Sequence, residues 1–241
     1  MFDRIRAQLV RKVVNDWPRT LEEWDRHEAE AEVMLAHRLG AYTGHIDQRL
    51  PEPAAAIRFA EEFKCLEILP AAFLLLSCIE HTSKGEDEYT VPRTARRELL
   101  HSGDFDRILR GRDKFVAFIE GLDTKQLCDL SFDPCDWPTE KLDPWPTPLP
   151  ANFEQFPCRT VRWRIAERLV TNVSRQNTYN PLLDLKKILG WVETDEAKVG
   201  LAPGTGLCRT CMQNLERWVL YTRTDFWRCL VWHFAPECRY L

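Results

Sequence analysis

Cys208-Arg-Thr-Cys211 is the segment of this chain with the clearest capacity for chemistry. Two thiolates at this spacing can share one tetrahedral metal ion, and Cys128 with Cys135 could supply two further sulfurs, which would make a four-cysteine zinc site. Cys128 and Cys135 do not repeat the two- to four-residue spacing usual in such sites. A Cys-x-x-Cys at a helix start is also the form of a thiol redox centre, but that chemistry needs a βαβ setting. The third reading is structural, with both cysteines serving as small buried hydrophobes. Cys65 and Cys78 fall in an apolar corner and Cys229 in the last helical stretch, and all three read as core.

Other constellations carry less. Gly200-Leu-Ala-Pro-Gly-Thr-Gly206 resembles a phosphate loop in its glycines, but lacks the Gly-Lys-Ser/Thr ending and a preceding strand, so it reads as a turn. The six histidines are scattered, and His27-Glu28 does not extend to His-Glu-x-x-His. No serine sits in a Gly-x-Ser-x-Gly elbow. Carboxylates crowd together only between Glu22 and Glu32, on what reads as an exposed helix face; a docking surface for a basic partner is the functional alternative to a solvated face. Without a convergent nucleophile, base and charge stabiliser, the chain is expected not to be an enzyme.

The elements that must position these residues read as helices. Phe2, Ile5, Leu9 and Val13 recur at helical spacing over Phe2 to Val14, and Asp16-Trp-Pro breaks the pattern. Thr20-Leu-Glu-Glu23 has capping-box form and opens a second helix that runs to about Arg38. Pro53 and Pro70 each suit a first helical turn, giving two short helices that meet at the most apolar corner of the chain. Because a residue before proline tends to leave the α region, the first of these is expected to stop by Leu69 and the second to restart over Ala71 to Cys78. Ser102 is the expected cap of a helix that Gly121 ends. The basic clusters Arg93 to Arg97 and Arg107 to Lys114 are interleaved with Glu98, Asp104, Asp106 and Asp113, as on a solvated helix face. A helix over Thr160 to Ser174 follows, then one from Pro181 to Leu189 ended by Gly190. Last comes a long helix with Leu207, Cys211, Leu215, Trp218, Thr222, Phe226 and Leu230 in one stripe.

Two stretches lack helical periodicity. Residues 81–93 read as an exposed loop. Between Asp123 and Pro157 prolines crowd around Trp137 and Trp145, and the stretch reads either as an extended strap held by its aromatics or as a disordered insertion with a proline-rich ligand motif. The expected fold is all-α, an irregular bundle of roughly seven to nine helices with a proline-rich strap and no substantial sheet.

With 241 residues, 44% of them hydrophobic, the chain can bury a core, and 33 basic against 37 acidic residues leave a net charge of −4 that argues against general nucleic-acid binding. No segment approaches the roughly 18 consecutive apolar residues of a membrane span. The start carries no leader pattern, so the expected setting is cytoplasmic or nuclear, where nine cysteines serve as core or ligands more often than as disulfides.

Several segments carry a family resemblance. Asp16-Trp-Pro-Arg-Thr-Leu-Glu-Glu-Trp-Asp-Arg-His-Glu-Ala-Glu30, Leu50-Pro-Glu-Pro-Ala-Ala-Ala-Ile-Arg58, Ile68-Leu-Pro-Ala-Ala-Phe73 and Arg107-Ile-Leu-Arg-Gly-Arg112 resemble the region after the BTB/POZ domain in a family of fungal BTB-containing proteins. Cys208-x-x-Cys211, followed by a helix ending in Phe226-Trp227 and Phe234, is similar to that family's C-terminal pattern. Two departures stand out: Val231-Trp-His-Phe234 replaces a Leu-Pro-x-x-Phe ending, and Ala72-Phe-Leu-Leu75 stands where the family has Ala-Phe-Tyr. The resemblance divides the chain into residues 1–15, like the last helix of a BTB fold; 16–122, a post-BTB helical region; 123–158, the strap; and 159–241, a C-terminal helical region. It implies a non-enzymatic intracellular protein-interaction module, with adaptor work on a cullin-type ubiquitin-ligase scaffold as one form. BTB-type dimerisation is not implied, because the BTB strands are missing from this sequence. The alternatives are a zinc-stabilised structural module and a truncated remnant without function. Protein partners are expected, with no nucleic acid and no membrane.

Overall fold

The computed structural model describes residues 2–38, 51–79, 95–122, 158, 161–162, 164–168, 180–193 and 207–234. Of these, 88% are helical and none is in a strand, so the fold is all-α. The chain divides into two compact units: residues 1–115, 177–180 and 226–241 form the first, and 116–176 with 181–225 form the second. The strap, the 81–93 loop, Cys128 and Cys135 lie outside the described residues.

In the first unit α1 spans Phe2–Asp16 and α2 spans Leu21–Arg38. Asp16-Trp17-Pro18 turns the chain between them, with Trp17 and Pro18 buried. The capping box forms as the sequence implies: the Glu23 N–H donates to Thr20 Oγ1 at 3.1 Å and the Thr20 N–H donates to Glu23 at 3.2 Å. The Arg19 N–H also donates to Glu23, at 2.7 Å, and chiefly holds that carboxyl below the usual carboxylate range.

The corner comprises α3 (Pro53–Phe63), a 3-10 turn at Leu66–Ile68 and α4 (Leu69–Cys78). Glu52 caps α3, accepting from the Ala54 and Ala55 N–H groups at 3.2 and 2.5 Å. The break differs from the expectation: Lys64, at φ 59°, stops α3 in the left-handed region, and Leu69 is helical despite preceding Pro70. Burial of Leu69 in the core overrides the pre-proline preference, which is a bias and not a prohibition. All residues from Ala71 to Ser77 are buried, so α4 has no solvent face there.

A helix buried this fully must still satisfy its last carbonyls. Arg112 Nη2 donates to Ser77 O at 2.7 Å, and Arg97 Nη2 donates to Ile79 O at 2.8 Å. Arg107 pairs with Glu61 at 3.0 Å. These arginines are therefore structural fasteners and not only a solvated face. Burial, and then the nearby Arg112 charge, pulls the Arg97 pKa below its ordinary value.

Helix α5 spans Ser102–Gly121, and its cap also differs from the expectation. The His101 N–H donates to Asp104 Oδ2 at 2.9 Å, while the Asp104 N–H donates back to His101 O at 3.0 Å; Ser102 lies inside the helix. A carboxylate at the third helical position does the capping, and the preceding residue need not be serine. The last described helix, α7 (Arg209–Phe234), and α5 each supply residues to both units. In the first unit Phe234 stacks on Phe73 at 5.7 Å and meets Phe115 edge-on at 5.2 Å, and Phe226 lies 5.0 Å from Phe115.

The second unit is built on Val161, Ile165, Leu185, Ile188, Leu215 and Trp218. Val161 and Ile165 belong to helical residues within 158–168, Leu185 and Ile188 to α6 (Pro181–Glu193), and the last two to α7. Gly190 does not end α6, which continues to Glu193. A glycine weakens a helix interior by about 1 kcal/mol but stops a helix only when the backbone turns left-handed there.

Candidate functional site

Two places combine reactive or binding groups, one in each unit. In the second unit Cys208 immediately precedes α7 and Cys211 occupies its first turn. The stripe Leu207, Cys211, Leu215, Trp218 turns that end of α7 toward the core, which places Cys158 beside the pair. The Sγ atoms of Cys158, Cys208 and Cys211 all lie within 4.8 Å of one another. Cys158 and Cys211 are buried, and Cys208 reaches solvent in part.

Two backbone amides address the sulfurs. The Cys208 N–H donates to Cys158 Sγ at 3.1 Å, and the Cys211 N–H donates to Cys208 Sγ at 3.4 Å. The second contact is an N-cap geometry in which sulfur takes the place of a serine oxygen. One turn beyond Cys158, Arg162 is only 8% exposed and donates through Nε to Cys158 O at 3.4 Å. Its Nη1 is buried with no hydrogen-bond partner among the described residues.

The sequence therefore identified two of the three clustered cysteines. Cys158 was missed because it stands fifty residues from Cys208 with no spacing regularity, next to the proline-rich stretch. The one available signal was Cys158 preceding the apolar positions Val161 and Ile165, which predicts the same buried side for all three. Cys65 contrasts with the cluster: burial first and the Glu67 charge second push its thiol up, as suits an inert core cysteine. Cys78 and Cys229 are only partly buried.

In the first unit a groove of about 590 Å³ opens at the meeting of the α1 C-terminus, α2 and the start of α3. Val13, Trp17, Met34, Ala55 and Phe59 give it an apolar lining. Asp16, Glu30 and Glu52 add carboxylates, His27 is also present, and among the described residues no lysine or arginine lines it. Glu52 is committed to capping α3 and to the Arg96 N–H, which it accepts at 3.0 Å, so Asp16 and Glu30 are the other carboxylates of the described lining. Glu30 belongs to the acidic run of α2, and the structure thus sets part of that run beside an apolar hollow.

Compared with protein-family models, curated proteins and solved structures, the chain matches none. The likeness to a post-BTB region accordingly rests on the quoted residues alone. Among the described residues no helix is long and apolar enough to cross a membrane.

Proposed function

We propose that this chain is a non-enzymatic helical interaction module that binds a protein segment carrying a lysine or arginine beside an apolar side chain. The observation that carries this reading is the groove of the first unit, whose apolar floor and acidic rim match such a segment and whose lining, among the described residues, holds no lysine or arginine. An apolar anchor supplies affinity by leaving water, and the rim charges set orientation and on-rate. The resemblance to a post-BTB region supports the same class and adds one form of it, an adaptor in which a cullin-type scaffold is the second partner. On this reading its partners are cytoplasmic or nuclear proteins.

A peptide-display selection on the full chain tests this. Enriched peptides should carry a cationic residue next to a bulky apolar one. Ala55→Trp, which fills the groove, and Glu30→Lys, which reverses its rim, should each weaken the best peptide by about tenfold or more, equivalent to about 1.4 kcal/mol. Enrichment without basic residues, or binding indifferent to both substitutions, overturns the reading. Co-purification of a cullin with the tagged chain supports the adaptor form, and recovery of chaperones alone removes it.

A further inference from the structure

We propose that Cys158, Cys208 and Cys211 bind a zinc ion that fastens the start of α7 to the helical residues around 158. Three cysteines from two segments meet within 4.8 Å, two of them buried, in a unit that also holds a cluster of aliphatic and aromatic side chains. Burying small hydrophobes does not require their sulfurs to share one point. A tetrahedral zinc thiolate site does: Zn–S bonds of about 2.3 Å place its sulfurs about 3.8 Å apart, so the cluster needs to tighten by no more than about 1 Å.

Two further features fit a metal better than a packed core. The amides of Cys208 and Cys211 donate to cluster sulfurs, the kind of outer hydrogen bond that orients a metal ligand. Arg162 is the second. A buried guanidinium is costly without a counter-charge, and one of its donors is unsatisfied among the described residues. Zinc(II) with three thiolates carries one net negative charge, and Arg162, bonded to the Cys158 carbonyl, supplies the balancing positive one. Soft thiolates select zinc over magnesium or calcium, and the partial exposure of Cys208 provides an entry path. Binding converts three thiols to thiolates and releases their protons to solvent, so affinity rises with pH. The sulfurs fill three positions of a tetrahedron, and the fourth is taken by water or by one more side chain.

The test uses the full chain purified without chelator. Metal analysis should find one zinc per chain, and X-ray absorption should find three or four sulfurs at about 2.3 Å. Cobalt(II) should give an intense thiolate-to-metal charge-transfer band. Cys158→Ser should weaken cobalt binding by more than about 100-fold, since even outer-shell partners of a metal are worth 10- to 100-fold, whereas Cys65→Ser should leave it unchanged. If Cys158→Ser fails to fold, alkylation of the native chain decides instead: added zinc should protect these three sulfurs and not Cys78. Folded protein that binds neither zinc nor cobalt overturns the proposal. So do copper or iron in place of zinc, a Cys208–Cys211 disulfide in protein isolated without oxidant, and equal alkylation with and without zinc.

Discussion

His233, one residue before the end of α7, should make the stability of the first unit pH-dependent in a way that a single substitution removes. Its ring lies about 6 Å from those of Phe115 and Phe226, at 6.1 and 6.3 Å between centroids. Both ring nitrogens are buried without a hydrogen-bond partner among the described residues. Burial first, and the charge of Lys114 second, push its pKa from 6.5 down to about 4. The imidazole is therefore neutral in the folded chain to about pH 4, whereas the unfolded chain takes up the proton below about 6.5. Stability is intact above that upper value and is lost as pH falls through the window. The full gap corresponds to about 3 kcal/mol at 1.36 kcal/mol per pH unit. About half of it develops between ~pH 7 and ~pH 5, and solvent screening at the partly exposed ring reduces this to about 1 kcal/mol. Urea unfolding followed by circular dichroism at both pH values, on the wild type and on His233→Phe, isolates the contribution because the carboxylates are common to both. The wild type should lose about 1 kcal/mol more than the variant on acidification. Equal losses would refute the assignment of a buried neutral imidazole.

Glycine replacement should change sign with position. A Cβ on Gly111 would lie 2.0 Å from a ring carbon of the buried Phe234, so Gly111→Ala should destabilise by about 1–3 kcal/mol in urea unfolding. Gly190 has nothing within 4 Å of that position, and Gly190→Ala should raise stability by up to about 1 kcal/mol in the same assay. Glu52→Ala removes the cap of α3 together with the contact to the Arg96 N–H, and should lower the urea midpoint by the equivalent of about 2 kcal/mol.

Local patterns with a short reach were legible in the sequence. The Thr20–Glu23 box, the position of Pro53 and the stripe from Cys211 to Leu230 each lie within one helix or at its first turn, where spacing dictates which side chains meet. The structure depends as much on pairings whose partners are far apart in sequence. Nothing in 107–112 announces that Arg112 will bind the carbonyl of Ser77, since an arginine on an alternating face looks the same whether it meets water or a helix end. The meeting of Cys158 with Cys208 and Cys211 was hidden for the same reason, although its buried side was not. The groove was half legible: the acids of α2 were evident, but their juxtaposition with Phe59 and Ala55 follows only from how the corner folds back. The extent of α6 past Gly190 shows that a glycine marks a helix end only together with the backbone conformation that sequence does not specify.

The first unit is discontinuous in the chain, and this has a consequence for how it is made. Phe73 and Phe115 leave the ribosome early, but the rings that cover them, Phe226 and Phe234, follow Phe115 by roughly 110 residues, a delay of about 5–20 s at ordinary elongation rates. Throughout that interval the nascent chain carries an aromatic socket without its plug, while the intervening segment is free to complete the second unit first. Synthesis order thus runs against assembly order, and the aromatic contacts of the first unit can close only after the last described helix has been made.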